Sequence, residues 1–139
     1  PVFRKTKRSY RMVGVLMIPI NDLQAKIYQA LSELNINVYD EVQEGASMPL
    51  ISIGDYNLTS IEFKGKGYSF LWTINIYTEY EGKKQVNELV AKTINKLNEL
   101  TYTDLNEEYS INYVLLDNAN ISRLEGFYVA NLTMRIEIL

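Results

Sequence analysis

Carboxylates are the side chains on which acid and base catalysis in this protein would have to rely. The sequence of 139 residues contains neither histidine nor cysteine, which excludes the usual zinc ligands, a cysteine nucleophile and a histidine base. Paired carboxylates can share acid, base and nucleophile roles, as they do in glycoside hydrolysis. Three such pairs occur close together along the chain: Asp40 with Glu41, Glu79 with Glu81, and Glu107 with Glu108.

None of these acidic pairs is predicted to be catalytic, because all fall at expected turns and strand ends where carboxylates are solvated. The acidic stretch 104–108 lacks the ligand spacing and turn glycine of a helix-loop-helix calcium site. The stretch Lys64-Gly65-Lys66-Gly67 lacks the full phosphate-binding pattern and joins two expected strands, so it is predicted to be a hairpin tip. We therefore expect no enzyme activity, no metal site and no cofactor.

The charge of the chain is unevenly distributed. Residues 1–11 carry five basic residues and no acid, which leaves nine basic against seventeen acidic residues, a net charge of −8, after them. An acidic body disfavours binding to phosphate backbones, so no sequence-specific recognition of nucleic acid is expected. Residues 1–16 are expected to form a flexible basic and apolar extension before a single domain over 17–139.

The apolar run 12–18 is too short to span a membrane, is interrupted by Pro19 and is not followed by a cleavage site. These features predict a cytosolic protein without membrane contact.

Two helices are predicted from apolar residues that recur every three or four positions. The first helix is expected over about 21–34, with Asn21 or Asp22 as its cap and Gln24 completing a reciprocal capping arrangement. The second helix is expected over about 83–100. Its apolar face is formed by Val86, Leu89, Val90, Ile94, Leu97 and Leu100.

Strands are predicted where apolar residues alternate with polar ones. The strongest signal is 68–80, in which Phe70, Trp72, Ile74 and Ile76 share one face. Extended structure is expected to begin at Val38-Tyr39. Residues 55–57 are expected to form a turn between two short strands. The other strands are expected over about 50–54, 58–64, 110–117 and 126–138.

The order α-β-β-β-α-β-β predicts an α+β fold, a two-layer sandwich with two helices on one face of a largely antiparallel sheet. The second face of that sheet is semi-polar, with Thr73, Asn75 and Tyr77 on the long strand. Such a face can be exposed or covered by a neighbouring subunit. Tyr77 and Tyr80 are candidate interface residues, because tyrosine tolerates partial burial and often supplies binding energy.

The stretch Val38-Tyr39-Asp40-Glu41-Val42, followed by Gly45-Ala46 and by Pro49-Leu50-Ile51-Ser52-Ile53-Gly54, resembles the tail terminator proteins of long-tailed bacteriophages and prophages. These tail completion proteins join the tail to the head. The long strand, the turn Glu81-Gly82-Lys83-Lys84 and the second helix fit the same pattern, so the resemblance covers about residues 20–100. Asn75-Ile76-Tyr77 stands where the family often has His-Val-Trp.

The resemblance implies a structural virion protein that assembles as a hexameric ring on the completed tail tube. Its partners would be further copies of itself, the tail tube protein and the head connector, with DNA passing through the ring. Its location would be the head-tail junction of the virion, and the host cytoplasm during assembly. The interface is expected in the 40–48 loop, the 64–67 hairpin and two tyrosines, with Asp40, Glu41, Glu44, Lys64, Gly65, Lys66, Gly67, Tyr77 and Tyr80 as candidates.

Two other functions remain open at this point. A small acidic cytosolic chaperone that binds a hydrophobic segment of a partner as a dimer has the same size, charge and element order. A carboxylate-dependent enzyme would require Asp40 or Glu81 for a measurable activity.

Overall fold

The computed structural model describes residues 17–63, 66–79 and 82–139. The expected extension over 1–16 lies outside the described residues, as do Lys64, Gly65, Tyr80 and Glu81. Two helices and five strands follow one another in the predicted order α-β-β-β-α-β-β. They are α1 (Ile20–Ser32), β1 (Asn37–Tyr39), β2 (Leu50–Phe63), β3 (Lys66–Glu79), α2 (Lys84–Asn98), β4 (Ile111–Leu124) and β5 (Phe127–Ile138).

The strands form a single sheet in the order β1-β2-β3-β5-β4. Neighbouring strands are antiparallel except for β1, which pairs in parallel with the first three residues of β2. The centre of the sheet is β3, which pairs with β2 on one side and with β5 on the other, from Tyr68↔Ile138 to Glu79↔Phe127. The predicted α+β fold with a largely antiparallel sheet is confirmed.

The core lies between the helices and one face of the sheet. The alternating residues of β3 that were predicted to share a face, from Phe70 to Ile76, are all buried. Their cross-strand partners on β5, from Ala130 to Ile136, are buried on the same side. The helices contribute the residues of their predicted apolar faces, including Leu23, Ile27 and Leu31 from α1, and Val86, Leu89 and Leu97 from α2.

Helix α1 begins differently from the sequence prediction. Its N-cap is Pro19, whose carbonyl accepts a hydrogen bond from the Leu23 N–H at 3.0 Å. Among the described residues no side chain caps this helix, so the predicted cap at Asn21 or Asp22 is wrong. The helix starts one residue earlier than expected, at Ile20, and both polar residues lie inside its first turn.

The predicted turn at 55–57 is also wrong, because these residues lie within the long strand β2. The pairing of β2 with β3 shifts between Ile53 and Tyr56, so the polar residues produce a bulge instead of a chain reversal. The carbonyl of Gly54 in this bulge accepts a hydrogen bond from the Trp72 Nε1 at 3.0 Å. The indole therefore satisfies a backbone group at the point where the regular ladder is interrupted.

A substitution at Gly54 tests how tightly this bulge is held. A Cβ at Gly54 would lie 3.1 Å from the backbone oxygen of Thr73, which cannot move without disturbing β3. We expect Gly54→Ala to lower the free energy of unfolding by about 1–3 kcal/mol, measured by urea denaturation. Ser60→Ala, at an exposed position of the same strand, serves as the control and should change it by less than about 1 kcal/mol. Equal effects of the two substitutions would show that the close approach at Gly54 is unimportant.

Candidate assembly surfaces

The residues of the candidate catalytic acid pairs that the structure describes are spread over the surface. Asp40, Glu41, Glu107 and Glu108 are exposed, and they lie in two different loops. In the part of the chain that the structure describes, no three His, Cys, Asp or Glu residues come close enough to bind a metal ion together. Neither of the described helices has the length and apolar character needed to cross a membrane.

The loop over residues 40–48 folds against the sheet face opposite the helices. A groove of about 280 Å³ separates this loop from Tyr77 of β3 and Phe127 of β5, whose ring centroids are 6.3 Å apart. The acidic side chains of Asp40, Glu41 and Glu44 remain exposed on the same loop. The groove beside Tyr77 is lined by other residues of the loop, including Val42 and Gln43, and by Phe127, which the sequence analysis did not single out.

The Lys66 and Gly67 candidates lie at the other end of β3 and contact residues of their own chain. The Lys66 ammonium donates a hydrogen bond to the backbone carbonyl of Glu108 and lies 4.5 Å from the centre of the Tyr109 ring. Gly67 is buried with a φ of +135°, and a Cβ there would lie 2.8 Å from Ile61 Cγ1. Lys66 therefore holds the hairpin of β2 and β3 against the loop that precedes β4, and Gly67 allows close packing against Ile61 within the hairpin.

The predicted interface residues accordingly form two groups and not one site. Position 66 and position 77 are separated by most of the length of β3, which corresponds to about 35 Å at the rise of an extended strand. Lys64, Gly65 and Tyr80 lie outside the described residues, so neither group can be completed with them.

The charged side chains on the open face of β4 and β5 are paired with each other or with polar neighbours. The Arg135 guanidinium donates to Asp117 Oδ1 at 2.8 Å, and this hydrogen bond raises the pKa of Arg135. The Asn112 amide donates to Glu137 Oε1 at 2.6 Å. Burial and the charge of Glu137 raise the pKa of Tyr113. The face therefore has little uncompensated charge.

Strand β4 carries a surface that the sequence analysis missed. Its expected end was 117, but β5 pairs with it as far as Leu124↔Phe127, so the strand continues for seven more residues. The alternation of polar and apolar residues over 118–122 was the available signal. Four large apolar side chains of β4 are exposed by 41–54%, namely Leu115, Leu116, Ile121 and Leu124.

Comparisons with known proteins give a likeness of fold. No family model matches the chain, and no curated protein matches it. Among solved structures, the chain is similar to one from the virion of a native gene transfer agent particle, with a TM-score of 0.69 and 21% sequence identity. The similarity covers 86% of this chain and 96% of that chain. At this identity, the finding establishes that the two chains share a fold.

The buried phenol of Tyr109 provides a test of the hairpin contact. Burial raises the pKa of Tyr109 above its usual 10.0, and the nearby Tyr68 and Glu108 raise it further. The unfolded chain therefore loses this proton at lower pH than the folded chain, and stability falls as pH rises from 10 through the folded pKa.

We expect Tyr109→Phe to reduce the loss of stability between about pH 9 and pH 11, measured by urea denaturation across that range. The substitution keeps the aromatic ring under Lys66 but removes the titrating hydroxyl. Tyr102→Phe, which changes an exposed tyrosine, is the matched control and should retain the slope of the unmodified protein. Identical slopes for all three proteins would contradict the expectation.

Proposed function

We propose that this chain is a non-enzymatic structural subunit of a phage-like virion. The observation that carries the proposal is the likeness to a chain from the virion of a gene transfer agent particle, which extends over 96% of that chain and 86% of this one. A likeness of this extent covers most of the fold and not a local motif alone. It supports the same kind of role, a component that works by fitting against other virion proteins.

We further propose that the subunit is a tail terminator, which forms a hexameric ring on the tail tube and joins it to the head connector. The residues that resemble this family form one contiguous unit in the fold. The stretch from Val38 to Val42 provides β1 and the start of the 40–48 loop, and the stretch from Pro49 to Gly54 provides the first part of β2. Parallel pairing of Val38 with Ile51 joins the two stretches.

The geometry of the subunit also suits a position between two partners. One end of β3 carries the acidic 40–48 loop and the groove beside Tyr77, and the other carries the Lys66 contact with Tyr109. A ring that joins a tube to a connector needs two chemically different faces, and the two ends can provide them. The net charge of −8 after residue 11 would keep passing DNA from adhering to the ring.

The location of the chain in finished particles tests this function directly. We expect mass spectrometry of purified particles to detect the chain, and gold-labelled antibody to mark the head-tail junction under the electron microscope. A preparation produced without the chain serves as the control. It should contain separate heads and tails, and the tails should carry no label. Label at the distal tail tip would retain a virion role but contradict the terminator. Absence from particles, with recovery of the chain as a dimer on unassembled proteins, would favour the chaperone.

The acidic loop provides a test by substitution. We expect Glu44→Lys to reduce the yield of joined particles about tenfold, because it reverses a charge at a surface proposed to meet a partner. The residue is exposed, so the fold should be unaffected. Glu88→Lys, at an exposed position of α2, makes the same charge change away from that loop and should leave the yield unchanged. Equal yields from the two variants would exclude the loop as a contact.

A further inference from the structure

We propose that neighbouring copies of this chain join through their sheets, with the free edge of β4 in one copy pairing antiparallel with the free edge of β2 in the next. This inference rests on the proposed ring, because it identifies the two surfaces through which that ring would close. The partner it names is a second copy of the chain, and the contact is made largely by backbone groups.

Strand β4 is the last strand of the sheet, so β5 occupies only one of its sides. Its first residue is covered, because Ile111 bonds through its N–H to the Thr103 carbonyl at 2.8 Å and through its carbonyl to the Tyr102 N–H at 2.7 Å. From Asn112 to Ser122, no backbone group within the described residues bonds to the outer side of the strand. This side presents a row of unpaired donors and acceptors.

The free edge of β4 is only partly protected, because a bulge and Asp117 interrupt it near its middle while other usual protections are missing. Proteins normally place lysine or proline on such edges, or make them short. Strand β4 has 14 residues, with neither lysine nor proline among them. It also exposes large apolar side chains on both faces, with Leu116 and Ile121 on the helix side and Leu115 and Leu124 on the other. An edge of this composition is expected to be covered in the working assembly.

The opposite side of the sheet offers a matching edge. Strand β1 pairs only with Leu50–Ser52, and no other strand in the described ranges lies beside β2 on that side. The uncovered stretch 54–63 contains no lysine, arginine or proline. Tyr56, within this stretch, is an exposed aromatic residue. Each copy therefore has two different free edges, which is what a head-to-tail ring requires.

The register of the sheet shows that these two edges fit each other. Tyr56 of β2 and Leu116 of β4 lie at the same level of the sheet, because the pairings across β3 and β5 connect them by way of Trp72 and Met134. In the same way, Leu58 lies level with Val114 by way of Phe70 and Ile136. The strands β2 and β4 run in opposite directions within one chain. A rotation about an axis along the strands, without translation, therefore brings β4 of one copy antiparallel to β2 of the next. Leu115 and Leu116 would then meet the neighbourhood of Tyr56.

The irregularity between Leu116 and Asn118 agrees with this arrangement. Beyond it, Ile121 lies level with Val38, so the end of β4 would run into β1 of the neighbouring copy if the strand continued straight. A bulge bends the strand that contains it. The irregularity lies just before the level at which β4 would reach the neighbour's β1. Pairing of β4 with β4 around a twofold axis would instead leave the edge of β2 uncovered.

Hydrogen exchange of the full chain tests the pairing without assuming a register. The exchange of backbone amides is compared between dilute monomer and the assembled form, either concentrated chain or tail assemblies. We expect amides of both 54–63 and 112–124 to slow by about tenfold or more on assembly, while the exposed loop 104–108 stays unchanged. Protection of the β4 segment without the β2 segment would overturn the proposal, and so would assembly with neither segment protected.

Engineered cysteines distinguish head-to-tail from twofold pairing, and the natural absence of cysteine makes the chain a clean background. Asn57→Cys and Leu115→Cys place single thiols at exposed positions that lie at the same level of β2 and β4. With a flexible bis-maleimide, we expect covalent dimers from a mixture of the two variants and none from either variant alone. Dimers from Leu115→Cys alone would indicate a twofold contact between β4 strands and overturn the proposal.

A charged residue on the edge of β4 should abolish oligomerisation, and an equivalent substitution elsewhere provides the control. Leu115→Lys should prevent oligomerisation, as judged by sedimentation, because it places an ammonium on the joining edge. Tyr28→Lys, at a similarly exposed apolar position on α1, should leave oligomerisation unchanged. If the chain is found at the head-tail junction but its edges remain unprotected, the proposed function stands and this inference fails. If the edges pair but the chain is absent from virions, the edge pairing stands and the proposed function fails.

Discussion

The fold depends on the position of β3, which is paired along both edges and buried on one face. Its four alternating residues from Phe70 to Ile76 lie beneath the helices, and burial of each large apolar side chain contributes about 1.5–3 kcal/mol. The neighbouring strands β2 and β5 take their register from it. Because side chains alternate between faces, a shift of one residue would expose this whole set and bury polar residues.

The same constraint explains the bulge in β2. A long strand beside β3 follows the twist of the sheet, and the irregularity after Ile53 leaves the carbonyl of Gly54 to bond with the Trp72 indole. The side chain of Trp72 thereby both fills the core and donates a hydrogen bond to a backbone carbonyl. The absence of a side chain at Gly54 allows the backbone of Thr73 to approach closely. Packing and hydrogen bonding are thus coupled at one point of the sheet.

The outer strands leave parts of the sheet edges unpaired. Their inner sides are held by β3 and β5, while the outer sides of β4 from Asn112 to Ser122 and of most of β2 present unpaired backbone groups among the described residues. Covering such edges is favourable, because unpaired donors and acceptors then find partners and exposed apolar side chains leave water. In the proposed ring, these edges are the surfaces through which neighbouring copies would join.

Local periodicity in the sequence correctly predicts the buried faces of the elements. The spacing of three and four at Leu23, Ile27 and Leu31, and the alternation from Phe70 to Ile76, indicate which side of each element faces inward, because periodicity is a local property. The bounds of the elements depend instead on pairing between distant segments. Strand β4 extends to Leu124 because β5 pairs with it, and 55–57 stays extended because β3 holds it. The separation of the interface candidates near Lys66 from those near Tyr77 follows from the number of residues between them on one strand. The contact of Tyr77 with Phe127 depends instead on the pairing of β3 with β5, which no local pattern records.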